Sequence, residues 1–141
     1  MTSLEDDRYC FACGRDNPSG LQVETRREDG SAELRWTPSR EYQGFKEILH
    51  GGIVSTLLDE AMAHAVLSVR EGTATAEMRV LFEKPVDTAG EITVEARVNE
   101  EKHRLLRASA ELRQDGTQKA SAQGTFIQVA RPHAERGRAT P

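Results

Sequence analysis

The chain has 141 residues, room for one domain. Its 37% hydrophobic and 30% charged residues, a mean hydropathy of -0.61 and no long apolar run exclude both a disordered chain and a membrane span. A net charge of -4 has the wrong sign for bulk attraction to nucleic-acid phosphate, so neither a nucleic acid nor a membrane is expected as a partner.

In chain order, Met1 to Arg8 is acidic and lacks the apolar core of a secretory signal, which makes the cytoplasm the expected compartment. Cys10 and Cys13 form a lone CxxC. This is half of a tetrahedral zinc set, and no histidine stands at ligand-like spacing from it. Packed or turn-forming cysteines, a metal site completed by other residues and redox work all stay open, and no metal or other cofactor is expected. Asn17-Pro18-Ser19-Gly20 is a turn cluster. It feeds an alternating run at Leu21, Val23 and Thr25, then Glu28-Asp29-Gly30 and a second run with Ala32, Leu34 and Trp36 on one side, which together read as a hairpin.

From Gly51 to about Arg70 no proline occurs, and Val54, Leu57, Leu58, Ala61, Met62, Ala65, Val66 and Val69 recur at three- and four-residue intervals, the pattern of one long helix. Glu71-Gly72 stops it. Strand-like runs follow over Thr75 to Glu83, Glu91 to Val98, Leu105 to Arg113 and Gln118 to Val129, with turn signals at 86–90 and at Asp115-Gly116. Arg131 to Pro141 has no apolar periodicity and reads as a mobile tail.

The domain expectation is an N-terminal segment over 1–20, a folded domain over 21–130 and the tail over 131–141. With no helical crossovers after the first, the sheet should be antiparallel. The late strands offer small groups on one face, Ala108, Ala110, Ala120, Ala122 and Gly124, which permit close approach of a helix. The pattern predicts an α+β fold in which a curved antiparallel sheet of five to six strands wraps one long central helix.

Chemistry concentrates between Tyr42 and Glu60. The Gly51-Gly52 pair at a helix start lets a ligand approach the backbone and exposes amide N–H groups at the positive end of the helix dipole, which suits an oxyanion. Asp59 falls within about 60° of Ser55, Met62 and Val66 on a largely apolar side of that helix. The glycines also read as an ordinary turn into a helix, Asp59 as a solvated charge beside Glu60, and His50 as a cap or packing residue. Glu60 shares a face with Thr56 and His64 at four-residue spacing, a pattern common for polar surface contacts.

The sequence His50-Gly51-Gly52, followed by an aliphatic helix with Asp59 nine positions after the histidine, resembles the hotdog-fold acyl-CoA thioesterases of the phenylacetate-pathway (PaaI-like) type. The likeness extends over about residues 9 to 129, through Cys10-Phe11-Ala12-Cys13-Gly14, Asn17-Pro18-Ser19-Gly20-Leu21, Thr75-Ala76-Glu77-Met78 and Phe82-Glu83-Lys84-Pro85. It implies hydrolysis of a small to medium aliphatic or aryl acyl-CoA, with the Gly51 amide polarising the thioester carbonyl and Asp59 acting as nucleophile or general base.

The resemblance further implies that Thr75 assists the carboxylate and that Gln43 steers the acyl group or the water. Gln43 departs from the family pattern, standing eight positions before Gly51 instead of six or seven. Ala63 replaces a threonine found in one branch. Gly52, Tyr42, Phe45, Met62 and Met78 are expected to contact the acyl group, and Arg104 and Arg107, with Lys102 and His103, the coenzyme A phosphates. Eight helical residues, about 12 Å, separate Gly51 from Asp59, so one helix cannot bring both to one carbonyl. The partner comes from a second chain, which agrees with the family's sites at a homodimer interface, with a tetramer as a dimer of dimers expected. A non-catalytic acyl-CoA binding module is the alternative. A hydratase is weaker, because Asp59 and His64 point about 140° apart.

Overall fold

His50 opens the central helix α1 (Gly51–Leu67), its Nδ1 accepting the Gly52 amide at 2.8 Å. That bond satisfies one of the first-turn donors with no intrahelical partner. This computed structural model describes residues 4–130. The expected tail over 131–141 therefore lies outside the described residues. Val54, Leu57, Leu58, Ala61, Met62, Ala65 and Val66 are buried, as their spacing demands. The helix stops at Leu67, short of Arg70, because the Ser68 hydroxyl turns back onto the Ala65 carbonyl at 2.6 Å and accepts the Gly30 amide at 2.7 Å.

Among the described residues, eight strands accompany it: β1 (Glu24–Glu28), β2 (Ser31–Trp36), β3 (Gln43–Phe45), β4 (Ile48–Leu49), β5 (Thr73–Phe82), β6 (Ile92–Lys102), β7 (Leu105–Gln114) and β8 (Thr117–Gln128). Six form one antiparallel sheet in the order β1-β2-β6-β7-β8-β5, which leaves β1 and β5 as edges. One helix on a six-stranded antiparallel sheet is the hotdog arrangement the sequence predicts. The helix packs over Ala96, Ala108, Ala110, Ala120 and Ala122, all buried. At Gly124 a side chain would come within 3.1 Å of Met62 Cε and 3.0 Å of the Phe126 ring, so the closest helix approach is built on the absence of a Cβ.

Several strand boundaries differ from the expectation, β5 starting at Thr73 and β6 running on to Lys102. The first strand starts at Glu24 rather than Leu21, because the Leu21 and Val23 amides bond to the Phe11 and Ala12 carbonyls instead of to β2. Leu21 and Val23 still reach the core, and Trp36 Nε1 donates to the Leu21 carbonyl at 2.9 Å. The stretch 43–49 forms the short ribbon β3–β4. The buried Gln114 side chain ties the β5–β6 connection down, accepting from the Asp87 amide and donating to the carbonyls of Asp87, Ala89 and Gly90. Among the described residues, no helix is long and apolar enough to cross a membrane.

Candidate functional site

The start of α1 is an exposed, hydrogen-bonding terminus. His50 is held by its own amide on the Tyr42 carbonyl at 2.9 Å and by the cap to Gly52. Because Nδ1 accepts that bond, the ring proton sits on Nε2. The Gly51 amide has no acceptor among the described residues. Beside it opens a cleft of about 410 Å³, lined by Phe45, Ile48, Gly51, Val54, Phe82 and Pro85 among others. Phe45 and Phe82 are 80% and 59% exposed, an unusual position for two aromatic rings flanking a free amide. A second shallow concavity on the other side of His50 is lined by Tyr42, Gln43, Gly52 and Thr56. Tyr42 is fixed edge-on against Trp36, ring centroids 5.2 Å apart, and Gln43 Oε1 accepts the Glu47 amide at 3.3 Å.

Two turns along α1, Asp59 Oδ1 accepts the Thr75 hydroxyl at 2.7 Å. Thr75 stands next to a bulge, where Ala76 is the extra residue between the Thr75–Phe126 and Glu77–Thr125 pairs of β5 and β8. Bulges at sheet edges re-aim side chains, and this one adjoins the residue that meets the helix carboxylate. Burial pushes the Asp59 carboxyl up, the Thr75 hydrogen bond pulls it back, and the Glu60 charge adds to the upward push; the net displacement is upward.

The structure thus gathers the sequence candidates into two groups. His50, Gly51, Gly52, Gln43, Tyr42 and Phe45 surround the helix start, and Asp59 and Thr75 meet further along. Eight helical residues separate them, about 12 Å. Met78, three residues after Thr75, is half-buried against the core and pairs with Gly124 across the strands. One expectation needs correction. Met62 is fully buried over Gly124 and packs the core, so it does not line the cleft. Arg104 donates to the Gln128 carbonyl, and Arg107 pairs with Glu100 at 3.6 Å. The β6–β7 turn they flank lies at the C-terminal end of α1, where Arg70 donates to the His103 carbonyl, at the opposite end of the helix from Gly51.

Sequence reading missed Phe82 as a wall of the cleft. Its signal was the aromatic residue at a strand end before Glu83-Lys84-Pro85. It also left Glu60 and the cysteines apart, whereas the fold joins them. His64 Nε2 lies 2.8 Å from Glu60 Oε1, Arg27 Nε donates to His64 Nδ1 at 2.9 Å, and Cys10 Sγ lies 3.9 Å from Glu60 Oε2. Burial works to raise the Glu60 carboxyl, but the His64 and Cys13 hydrogen bonds and the Arg27 charge outweigh it and hold Glu60 below its ordinary range. The two adjacent carboxylates therefore have opposite tendencies.

The thioesterase superfamily profile matches residues 46–121, more than half of the chain, covering the helix, the Asp59–Thr75 pair and the start of β8. The chain belongs to the thioesterase superfamily. One relative of this superfamily member is a protein of Saccharolobus solfataricus whose name provisionally makes it an esterase, 36% identical over 90 residues. The match covers 62% of this chain and 58% of that protein's length. Among solved structures, conserved protein PA5202 from Pseudomonas aeruginosa is 30% identical with a TM-score of 0.71, over 77% of this chain and 90% of that one. The E. coli PaaI protein of the phenylacetic acid degradation operon shares the fold, with a TM-score of 0.74 at 19% identity over 78% and 81% of the two chains. So does the Streptococcus mutans protein smu.793, solved bound to acetyl CoA, with 0.73 at 14% identity over 77% and 90%.

Proposed function

We propose that this thioesterase-superfamily chain hydrolyses an acyl-CoA thioester of small to medium aliphatic or aryl acyl group, at a site shared between two copies of the chain. The observation that carries the reading is the split of the machinery along α1. A free amide beside an aromatic cleft lies at the helix start, and a hydroxyl-supported carboxylate lies about 12 Å away. Neither half suffices for acyl transfer, and a second copy supplies the missing one when the helix start of one protomer faces Asp59 of its partner. Edge strand β5, which carries Thr75, has a free side on which such a partner can sit. The acetyl CoA bound to the Streptococcus mutans neighbour supports coenzyme A as the carrier.

In this mechanism the Gly51 N–H donates to the thioester oxygen, and its effect grows as negative charge develops there. The carboxylate of Asp59 then takes one of two routes. It attacks the carbonyl carbon and expels the coenzyme A thiolate, giving an acyl–aspartyl anhydride that water splits; or it takes a proton from a water that attacks directly. Either route ends in free acid and thiol. Thr75 orients the carboxylate, and Gln43, which lines a concavity with His50 and Gly52, holds the acyl oxygen or the water. Phe45 and Phe82 offer an apolar bed for the acyl group.

Release of free thiol from a panel of short, medium, long-chain and aryl acyl-CoAs tests the reading, together with equilibrium binding of the same compounds. Hydrolysis supports the enzyme. Binding without thiol release supports the alternative, an acyl-CoA binding module of the same fold.

A further inference from the structure

The fold brings three metal-ligating side chains of distant origin to one point, on a face of α1 different from that of Asp59 and Thr75. The Cys10 and Cys13 sulfurs and a Glu60 oxygen all lie within 4.8 Å of one another. We propose that Cys10, Cys13 and Glu60 form a binding site for a thiolate-preferring divalent cation of the zinc class.

Two features of the site support this. The CxxC is wound into a tight turn, with the Gly14 amide on the Cys10 carbonyl at 2.9 Å. A Cβ at Gly14 would sit 2.3 Å from the Cys10 nitrogen, so only glycine permits a turn that presents both sulfurs on one side. The carboxylate is pre-oriented: His64 holds Oε1 and is itself fixed by Arg27, which leaves Oε2 toward the sulfurs. A histidine behind a ligating carboxylate is the second layer that metal sites use to fix their ligands.

Binding replaces two S–H bonds by two metal–sulfur bonds and releases two protons per ion, while the Glu60 carboxylate binds as it stands. Two sulfurs and one carboxylate oxygen leave a fourth tetrahedral position on the side of a cleft of about 560 Å³ that Asp6, Tyr9 and Arg27 help to line. The ion would clamp the N-terminal segment to the helix turn that carries Asp59.

The test uses the full chain, reduced and stripped of metal by a chelator, titrated with Co²⁺ without oxygen and then with Zn²⁺. The expected result is one Co²⁺ per chain, a thiolate-to-cobalt charge-transfer band in the near ultraviolet, displacement by Zn²⁺ and release of about two protons per ion. Cys10→Ser and Cys13→Ser each weaken uptake at least about 100-fold, and Glu60→Gln at least about tenfold with the band retained at saturation. Wild-type protein that takes up no stoichiometric ion overturns the site, whether its cysteines stay free or close as a disulfide. So does uptake whose band survives both serine variants. Proton release and Zn²⁺ protection of the wild-type thiols from alkylation read the site even where a variant fails to fold.

Discussion

Thr75 gives its hydroxyl hydrogen to Asp59 across 2.7 Å, from beside a bulge in an edge strand to the middle of the central helix. That single bond is the counterweight to burial and to the Glu60 charge, both of which raise the Asp59 carboxyl. Activity that needs the ionised carboxylate is held above its pKa and falls as pH drops through it. The acid limb of kcat/KM therefore lies above the ordinary aspartate range. Thr75→Val moves it to still higher pH, and Glu60→Gln moves it to lower pH. Thiol release from one acyl-CoA across pH 3 to 9 with the three proteins measures both displacements; a limb unmoved by either change removes Asp59 from the rate equation.

The same upward displacement makes Asp59 a cost to the fold. A carboxyl raised on folding destabilises the folded state above its folded pKa and leaves it untouched below its unfolded one. Asp59→Asn should therefore raise the melting temperature at pH 7, and the gain should fade as pH falls through the carboxyl range. Calorimetry at pH 7 and pH 3 reads the difference. A lower melting temperature for the variant at pH 7 would show the charge to be stabilising.

The two glycines at the helix start should behave differently. A Cβ at Gly52 sits 3.0 Å from His50 Nδ1, so Gly52→Ala displaces the ring from its cap, at about 0.5–2 kcal/mol. At Gly51 the methyl meets the Phe82 ring at an ordinary 3.5 Å, and Gly51→Ala keeps its stability. It does, however, put that methyl into the cleft, and kcat/KM should fall at least about tenfold. Chemical denaturation and steady-state kinetics on the pair separate these effects.

Gly124→Ala should cost about 1–3 kcal/mol without touching the site, because the added methyl meets both Met62 and Phe126. Urea unfolding of the variant measures it. An unchanged midpoint would mean that the helix can lift from the sheet at no cost.

Much of the fold was legible because its signals are local and periodic. The three- and four-residue spacing of Val54 to Val66 gave the helix, and Ala108, Ala110, Ala120 and Ala122 marked the face it covers. Boundaries failed where a long-range backbone partner competed, as at Leu21 and Val23, whose amides go to the N-terminal loop. For the site, the helix start and Asp59 could be read from the glycine pair and the misplaced charge. That Met62 is core, that Phe82 borders Gly51 and that Arg104 points to Gln128 depend on how strands far apart in sequence are paired, which no spacing records. The Cys10–Glu60 approach is of the same kind, a contact across fifty positions.

The central claim is that Asp59 carries the hydrolysis. Its most direct test is thiol release by wild type and Asp59→Asn side by side on the acyl-CoA panel, with a single turnover in ¹⁸O-water to assign the route. Wild type should turn over, and the variant should lose at least about 100-fold. Label in the Asp59 carboxylate would mark the anhydride route. A variant as active as wild type would contradict the account.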